Sequence, residues 1–243
     1  MSVWFCIPSA RSVEQSAPVF KAWRKMGYKI AIVTDDEASR DVDLQVVCDS
    51  YPGYANSVNY LAKRVLAENP DCDWIVCGGD DTYPDPNVMA DDIADQCFRH
   101  FEAAALEHYR TDGRGRPSAG LAGRFGVMQP TGDRWADCSI ERICGSPWMG
   151  REFCERINGG NGPLWHEYRH MFVDNELQEV ATKLGILLQR RDLTHLHHHF
   201  SRVGQPMPEF LKAANSQTHW DRFRLLFESR RAAGFPGHEP ITA

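Results

Sequence analysis

Two aspartates stand side by side in the stretch Trp74–Pro86, WIVCGGDDTYPDP, just after an apolar run and a pair of glycines. Adjacent carboxylates repel unless something offsets their charge, and a bound cation does so. Asp80 and Asp81 suit Mg²⁺ or Mn²⁺, hard cations that take oxygen ligands and keep positions for water or phosphate oxygens. They also suit a plain turn ahead of Pro84, where aspartate is favoured. A second cluster is Thr194–Phe200, THLHHHF. In an extended segment His195 and His197 point the same way, and neutral imidazole is a common metal ligand. Alone the run reads as surface histidines; with Asp81, one imidazole would complete a divalent site for a diphosphate. Asp174, in Phe172–Glu176, FVDNE, offers a general base for a hydroxyl attacking a sugar carbon, or a cap for the helix that follows. The two roles are compatible. Arg11 suits a phosphate, and Asp35 or Asp36 a ribose or base. Gly145–Gly150, GSPWMG, places Trp148 and Met149 in a loop that shapes a pocket, or in a turn with a buried tryptophan.

The elements between these residues explain why they belong together. Val3–Ile7, Lys29–Val33, Leu44–Cys48 and Asp73–Cys77 are short apolar runs of the kind that form buried parallel strands. Helices are predicted over Ser12–Met26, with Ser12 as cap and Gly27 as stop, and over Asn56–Ala67, with Val58, Leu61, Ala62 and Val65 on one face. Such alternation builds a parallel sheet covered by helices, whose ligands bind beyond the carboxyl ends of the strands. Ser9–Arg11, Thr34–Asp36 and Asp80–Asp81 all fall at those ends. Further on, Val88–His108 reads as helix, and Thr111–Ser118, TDGRGRPS, as a basic loop. Phe125–Gln129, Ile140–Cys144 and Ile186–Gln189 read as strands. Trp165–Gly185 reads as mostly helical with a break near Asp174, and Trp220–Ala232 as a helix in a polar tail.

Composition narrows the classes. The chain has 243 residues, enough for a sizeable core. Its formal charge of −6 argues against a broad nucleic-acid footprint. No apolar run reaches the length of a membrane span, and the N-terminus reads as a first strand rather than a signal peptide. Eight cysteines without a Cys-x-x-Cys pair point to reduced core thiols and a cytoplasmic protein, and away from structural zinc. No GxGxxG or GxxxxGK[ST] occurs, which argues against dinucleotide and P-loop sites.

Taken in order, IPSAR, GGDDTYPDP, FVDNELQEVATKLG, LTHLHHHF and the tail WDRFRLLFESRRAAGFP resemble the GT-A glycosyltransferases, specifically family 2-like enzymes of phages and actinobacteria. The resemblance implies an α/β fold, a mostly parallel Rossmann-like sheet flanked by helices with a helical C-terminal tail. It divides the chain into a glycosyltransferase domain over 1–205, with a donor half (1–110) and an acceptor half (111–205), and an extension over 206–243 packed on the core. It implies a nucleoside-diphosphate sugar donor, UDP-sugar favoured, and Mn²⁺ or Mg²⁺. Pro8, Ser9 and Arg11 would lie along the nucleotide, and Asp35 or Asp36 at its base or ribose. Tyr54, Asn56 and Asn59 would line the same cleft, with Asp80 near the ribose or sugar. Asp81, His197 and His195 would hold the metal. Asp174 would be the base of an inverting transfer, and Trp148, Met149 and Asn175 would face the acceptor. The sequence departs from the family pattern at Gly79, where a spaced aspartate is usual, and at His198, where a proline often follows the histidine pair. A phage-like member would glycosylate a hydroxymethylated base in DNA in the host cytoplasm, with Arg110–Arg116, Arg222, Arg224, Arg230 and Arg231 on phosphates. Rival readings are a sugar nucleotidyltransferase, a non-catalytic nucleotide or metal-binding module, and a DNA-binding protein.

Overall fold

The computed structural model describes residues 1–112, 122–133 and 141–239. Its centre is a seven-stranded sheet built from β1 (Ser2–Pro8), β2 (Lys29–Thr34), β3 (Leu44–Val47), β4 (Cys72–Val76), β6 (Val127–Pro130), β7 (Trp148–Gly150) and β8 (Leu187–Arg190). The order is β3-β2-β1-β4-β7-β6-β8. All neighbours are parallel except where β7 runs against β4 and β6. The fold is thus α/β with a mostly parallel central sheet.

Both faces of the sheet are buried, which is why β1, β2 and β4 are largely apolar; the exception inside β4 is Asp73, which pairs with Arg124 at 2.6 Å. Along β1, Val3, Phe5 and Ile7 join a core under α1 (Val13–Lys25) and α3 (Ala90–Asp112). Trp4 and Cys6 join the opposite core. That second core is built with α2 (Tyr54–Glu68), α4 (Arg151–Arg156), α5 (Val173–Lys183) and α7 (Gln217–Ala232). The predicted face of α2, Val58, Leu61, Ala62 and Val65, is fully buried. Ser12 caps α1 in a complete capping box with Gln15, so Ser12→Ala is expected to cost about 1 kcal/mol. Thermal unfolding followed by circular dichroism would show this as a loss of roughly 2–4 °C.

Sequence and structure part company in the second half. Residues 141–144 form a turn rather than a strand, and Ile140 lies outside the described residues. The predicted basic loop starts inside α3, and its remainder is also outside them. Within Gly145–Gly150, Trp148 and Met149 do not shape a pocket: they sit in β7, fully buried between β4 and β6, so the alternative of a buried tryptophan holds. The helix expected from Trp165 begins only at Val173. The residues before it have their backbone committed to α2. Asn59 clamps Leu164, donating to its carbonyl at 2.7 Å and accepting from its N–H at 2.9 Å. The Tyr54 N–H donates to the Arg169 carbonyl at 2.6 Å. Gly53 precedes α2 with φ +97°, and a Cβ there would meet the Arg169 Cα at 3.1 Å. Only glycine suits that conformation and that approach.

A second, two-stranded sheet pairs β5 (Thr82–Tyr83) with β9 (Leu196–His197). Thr82 lies opposite His197. Trp23 of α1 anchors it, donating its indole N–H to the Thr82 carbonyl at 2.6 Å and stacking on Phe5 at 3.8 Å. This ribbon carries the histidine run to the aspartate pair. The tail forms α6 (Glu209–Ala214) and α7. Phe223, Phe227 and Phe235 of the tail are part of the core. None of the helices among the described residues is long and apolar enough to cross a membrane. The seven described cysteines are unpaired.

Candidate functional site

From β1 the chain proceeds outward to β2 and β3, then crosses back to β4 on the other side of β1. The order therefore reverses between β1 and β4, the place where open α/β sheets leave a crevice for ligands. Ser9–Arg11 follow β1 there and Asp80–Asp81 follow β4. They line a cleft of about 780 Å³ that also reaches Asp35, Tyr54, Asp174, His197 and the tail helices.

The two aspartates have different tasks. Asp80 is buried and saturated with donors. Its Oδ2 accepts from the Ser9 hydroxyl at 3.0 Å and from the Ala10 and Arg11 N–H groups at 3.2 and 3.1 Å. Its Oδ1 accepts from Arg11 Nε at 3.0 Å. Burial pushes the Asp80 carboxyl up, and Arg11 pulls it back. It staples the turn after β1 to the turn after β4. Asp81 takes the other arm of the same guanidinium, Nη2 to Oδ2 at 2.8 Å. Its Oδ1 lies 3.1 Å from His197 Nε2. Burial opposes its ionisation, but His197 and Arg11 hold its carboxyl below the usual carboxylate range. A Cβ on Gly79 would sit 2.5 Å from Asp81 Oδ1. The Asp81 carboxylate thus occupies the room that an aspartate at position 79 would need, a physical reason for the departure from a spaced pair.

The histidines sort differently from the sequence expectation. His195 is buried in the core, 5.0 Å from the Trp23 ring. The Ser146 hydroxyl donates to the Cys77 carbonyl at 2.9 Å and lies 2.7 Å from His195 Nδ1. With that hydroxyl proton so engaged, Nδ1 carries the hydrogen, and Nε2 accepts from the Trp148 indole at 3.4 Å. Both ring nitrogens are occupied, and burial drives the imidazole down to about 3. It is a neutral core residue, away from the cleft. His197 and His199 line the cleft instead, their rings 5.3 Å apart. His198 turns to Tyr83, with ring centroids 4.5 Å apart. His195 and His197 therefore do not share a side; the pair that faces the cleft is His197 and His199.

Asp174 is in the first turn of α5, where the helix dipole favours a carboxylate. It is not the cap; Phe172 holds that position with φ 68°. Its Oδ1 accepts the Asn175 N–H at 3.0 Å, and no salt bridge reaches it among the described residues. Burial pushes its carboxyl up. A base must be deprotonated to act, so if Asp174 is that base kcat/KM should rise with pH through a value above the usual carboxylate range. A pH–rate profile checks this, and an acid limb at an ordinary carboxylate pKa would contradict the role.

Pro8, Ser9, Arg11, Asp35, Tyr54 and Asn175 line the cleft with these groups. Other predicted residues do not. Asp36 turns to Arg40, at 3.1 Å, and to the Ala38 N–H. Asn56 donates to the Pro52 carbonyl, Asn59 is the clamp on Leu164, and Trp148 and Met149 are core. Sequence reasoning missed Tyr51, Arg169 and His170, which line the cleft from irregular segments. It also missed Asn215, His219 and Trp220 of the tail. Of the tail arginines only Arg222 lines the cleft. Arg224 pairs with Glu228 at 3.0 Å and Arg231 with Glu179 at 2.8 Å. Arg230 is buried against Glu176 at 2.7 Å. Among the described residues no three His, Cys, Asp or Glu side chains converge as a closed metal site.

No protein-family model matches the chain, and no curated protein sequence does. Among solved structures it is similar to the catalytic domain of Drosophila beta1,4-galactosyltransferase 7 in complex with xylobiose, at 12% identity and a TM-score of 0.44, over 89% of this chain and 81% of that one. A mutant of that enzyme with manganese, UDP-Gal and xylobiose gives the same identity and score, over 89% and 80%. A glycosyltransferase involved in glycosylation of the major capsid of PBCV-1 matches at 8% identity and a TM-score of 0.31, over 63% of this chain and 62% of that one. At such scores the likeness is loose, and function has to be read from the cleft.

Proposed function

We propose that the chain is a metal-dependent GT-A glycosyltransferase that moves a sugar from a nucleoside-diphosphate sugar, UDP-sugar favoured, to an acceptor hydroxyl. The carrying observation is the meeting of Arg11, Asp81 and His197 at the strand-order reversal, in one cleft with Asp174. Asp81 Oδ1 and His197 Nε2, 3.1 Å apart, are one carboxylate and one imidazole on the same small space. They suit a Mn²⁺ or Mg²⁺ ion that takes its other ligands from water and phosphate oxygens. Such an ion supplies Lewis-acid stabilisation of the departing diphosphate. Arg11 adds a fixed cation beside it. Pro8, Ser9, Asp35 and Tyr54 bound the nucleotide side. Asp174 takes the proton of the attacking hydroxyl, and single displacement inverts the sugar carbon.

A modified base in duplex DNA is disfavoured as acceptor. Three of the four tail arginines are engaged in internal ion pairs, and the formal charge of the chain is −6. The test is a thermal shift with a panel of nucleotide sugars, with and without Mn²⁺ or Mg²⁺. A ligand at a hundred times its dissociation constant stabilises by about 2.7 kcal/mol, so a clear upward shift is expected for one nucleotide class and only with metal. No shift for any nucleotide sugar under any metal condition would defeat the proposal.

A further inference from the structure

We infer that the C-terminal extension builds an acceptor subsite, a Trp220–Phe172 platform that takes the apolar face of a pyranose ring. The inference rests on the glycosyl-transfer reading and names its acceptor class. Trp220 lines the cleft yet is 43% exposed. Its ring centroid lies 4.9 Å from that of Phe172, and Phe172 in turn stacks on Phe227 at 5.6 Å and 23°. Phe172 thus braces the indole across a contact tilted by 56°, while part of the indole surface stays open. Phe172 has a φ of 68°, left-handed backbone that a side chain of this size rarely adopts. Strain of that kind gathers at ligand clamps. Phe172 sits two residues before Asp174 at the same helix N-terminus, and both line the one cleft.

The rim is polar. Asn215, His219 and Arg222 belong to the same wall. Asn215 Oδ1 is shielded from solvent and has no hydrogen-bond partner among the described residues. A shielded acceptor is costly unless a donor reaches it, and a ligand hydroxyl at this wall would be such a donor. An aromatic surface with a few placed polar groups is the usual make-up of a small-molecule site. A pyranose matches both parts, with C–H bonds on one face and hydroxyls around its edge. A polyanion does not match, because Arg224, Arg230 and Arg231 are paired internally.

The experiment uses the full chain with UDP and Mn²⁺. Methyl glucopyranoside, galactopyranoside and mannopyranoside, in both anomers, are titrated by calorimetry and saturation-transfer NMR, with a short DNA duplex in parallel. At least one glycoside is expected to bind with its ring C–H protons saturated. Trp220→Ala should weaken it about tenfold and Trp220→Phe should keep most of it. Circular dichroism checks that both variants fold. Failure of every glycoside to bind the folded wild type, equal binding by Trp220→Ala, or binding of the duplex in their place would overturn the inference. The nucleotide-sugar thermal shift, read on the same samples, separates the two failures. A shift without glycoside binding sinks the platform alone. Trp220-dependent glycoside binding without a shift keeps the platform and sinks the donor reading.

Discussion

On the proposed function, Asp81→Asn is expected to lower kcat/KM for sugar transfer by about 10³-fold, roughly 4 kcal/mol of transition-state stabilisation. The change keeps the shape of the side chain and removes its charge. Asp81 already sits in a charged arrangement, with Arg11 at 2.8 Å on one oxygen and His197 at 3.1 Å on the other. An amide in its place offers a metal one neutral oxygen and leaves Arg11 with a single carboxylate. The loss should appear as weakened metal dependence as well as a lower rate, so activity is measured across a Mn²⁺ titration. Asp80→Asn provides the contrast. An asparagine cannot accept from all four donors that now reach Asp80. Its cost should therefore show in the melting temperature, at about 1.5–3 kcal/mol for a hydrogen bond to a charged group. An Asp81→Asn enzyme within threefold of wild type would remove Asp81 from the chemistry.

Arg230→Met is expected to destabilise the protein by about 3–5 kcal/mol, because it leaves a buried carboxylate without its cation. Arg230 and Glu176 are both buried, and the guanidinium reaches both carboxylate oxygens, with Nε at 2.9 Å and Nη2 at 2.7 Å. The Tyr168 hydroxyl donates to the same carboxylate at 2.7 Å. The Trp165 ring lies 3.4 Å from the guanidinium carbon. Glu176 has no other cation in reach among the described residues. Removing both charges, as Glu176→Met with Arg230→Met, should recover a large part of the loss, since an apolar pair of similar volume often replaces a buried ion pair without harm. Urea unfolding of the two single variants and the double variant measures this. A single variant that loses less than 1 kcal/mol would contradict the burial of the pair.

The first half of the fold was legible because its signals are long and redundant. β1, β2 and β4 are apolar on both faces, Ser12 carries a capping box, and α2 shows its buried face at helical spacing. The strand ends then placed Arg11, Asp80 and Asp81 together by topology alone. The misses share a cause, which is local pattern overridden by distant partners. Trp148 and Met149 belong to a three-residue strand that ends in Gly150, too short for periodicity to show. The helix predicted from Trp165 is undone by Asn59 and Tyr54, more than a hundred residues away. Alternation groups His195 with His197 because it cannot see Ser146 and Trp148, which hold His195 in the core. The tail arginines read as a charge cluster because their partners Glu176 and Glu179 lie on another helix.

The bridge that Arg11 makes between Asp80 and Asp81 has a further consequence for the order in which ligands arrive. The site carries its own counter-ion. A divalent cation arriving alone meets a carboxylate already neutralised by a guanidinium, and gains little. A diphosphate arriving with it gives Arg11 a new anion and frees Asp81 for the metal. On the proposed function, metal and donor therefore raise each other's affinity, and by the same factor, as thermodynamic reciprocity requires. With metal present and donor absent, the cleft rests in its self-paired state.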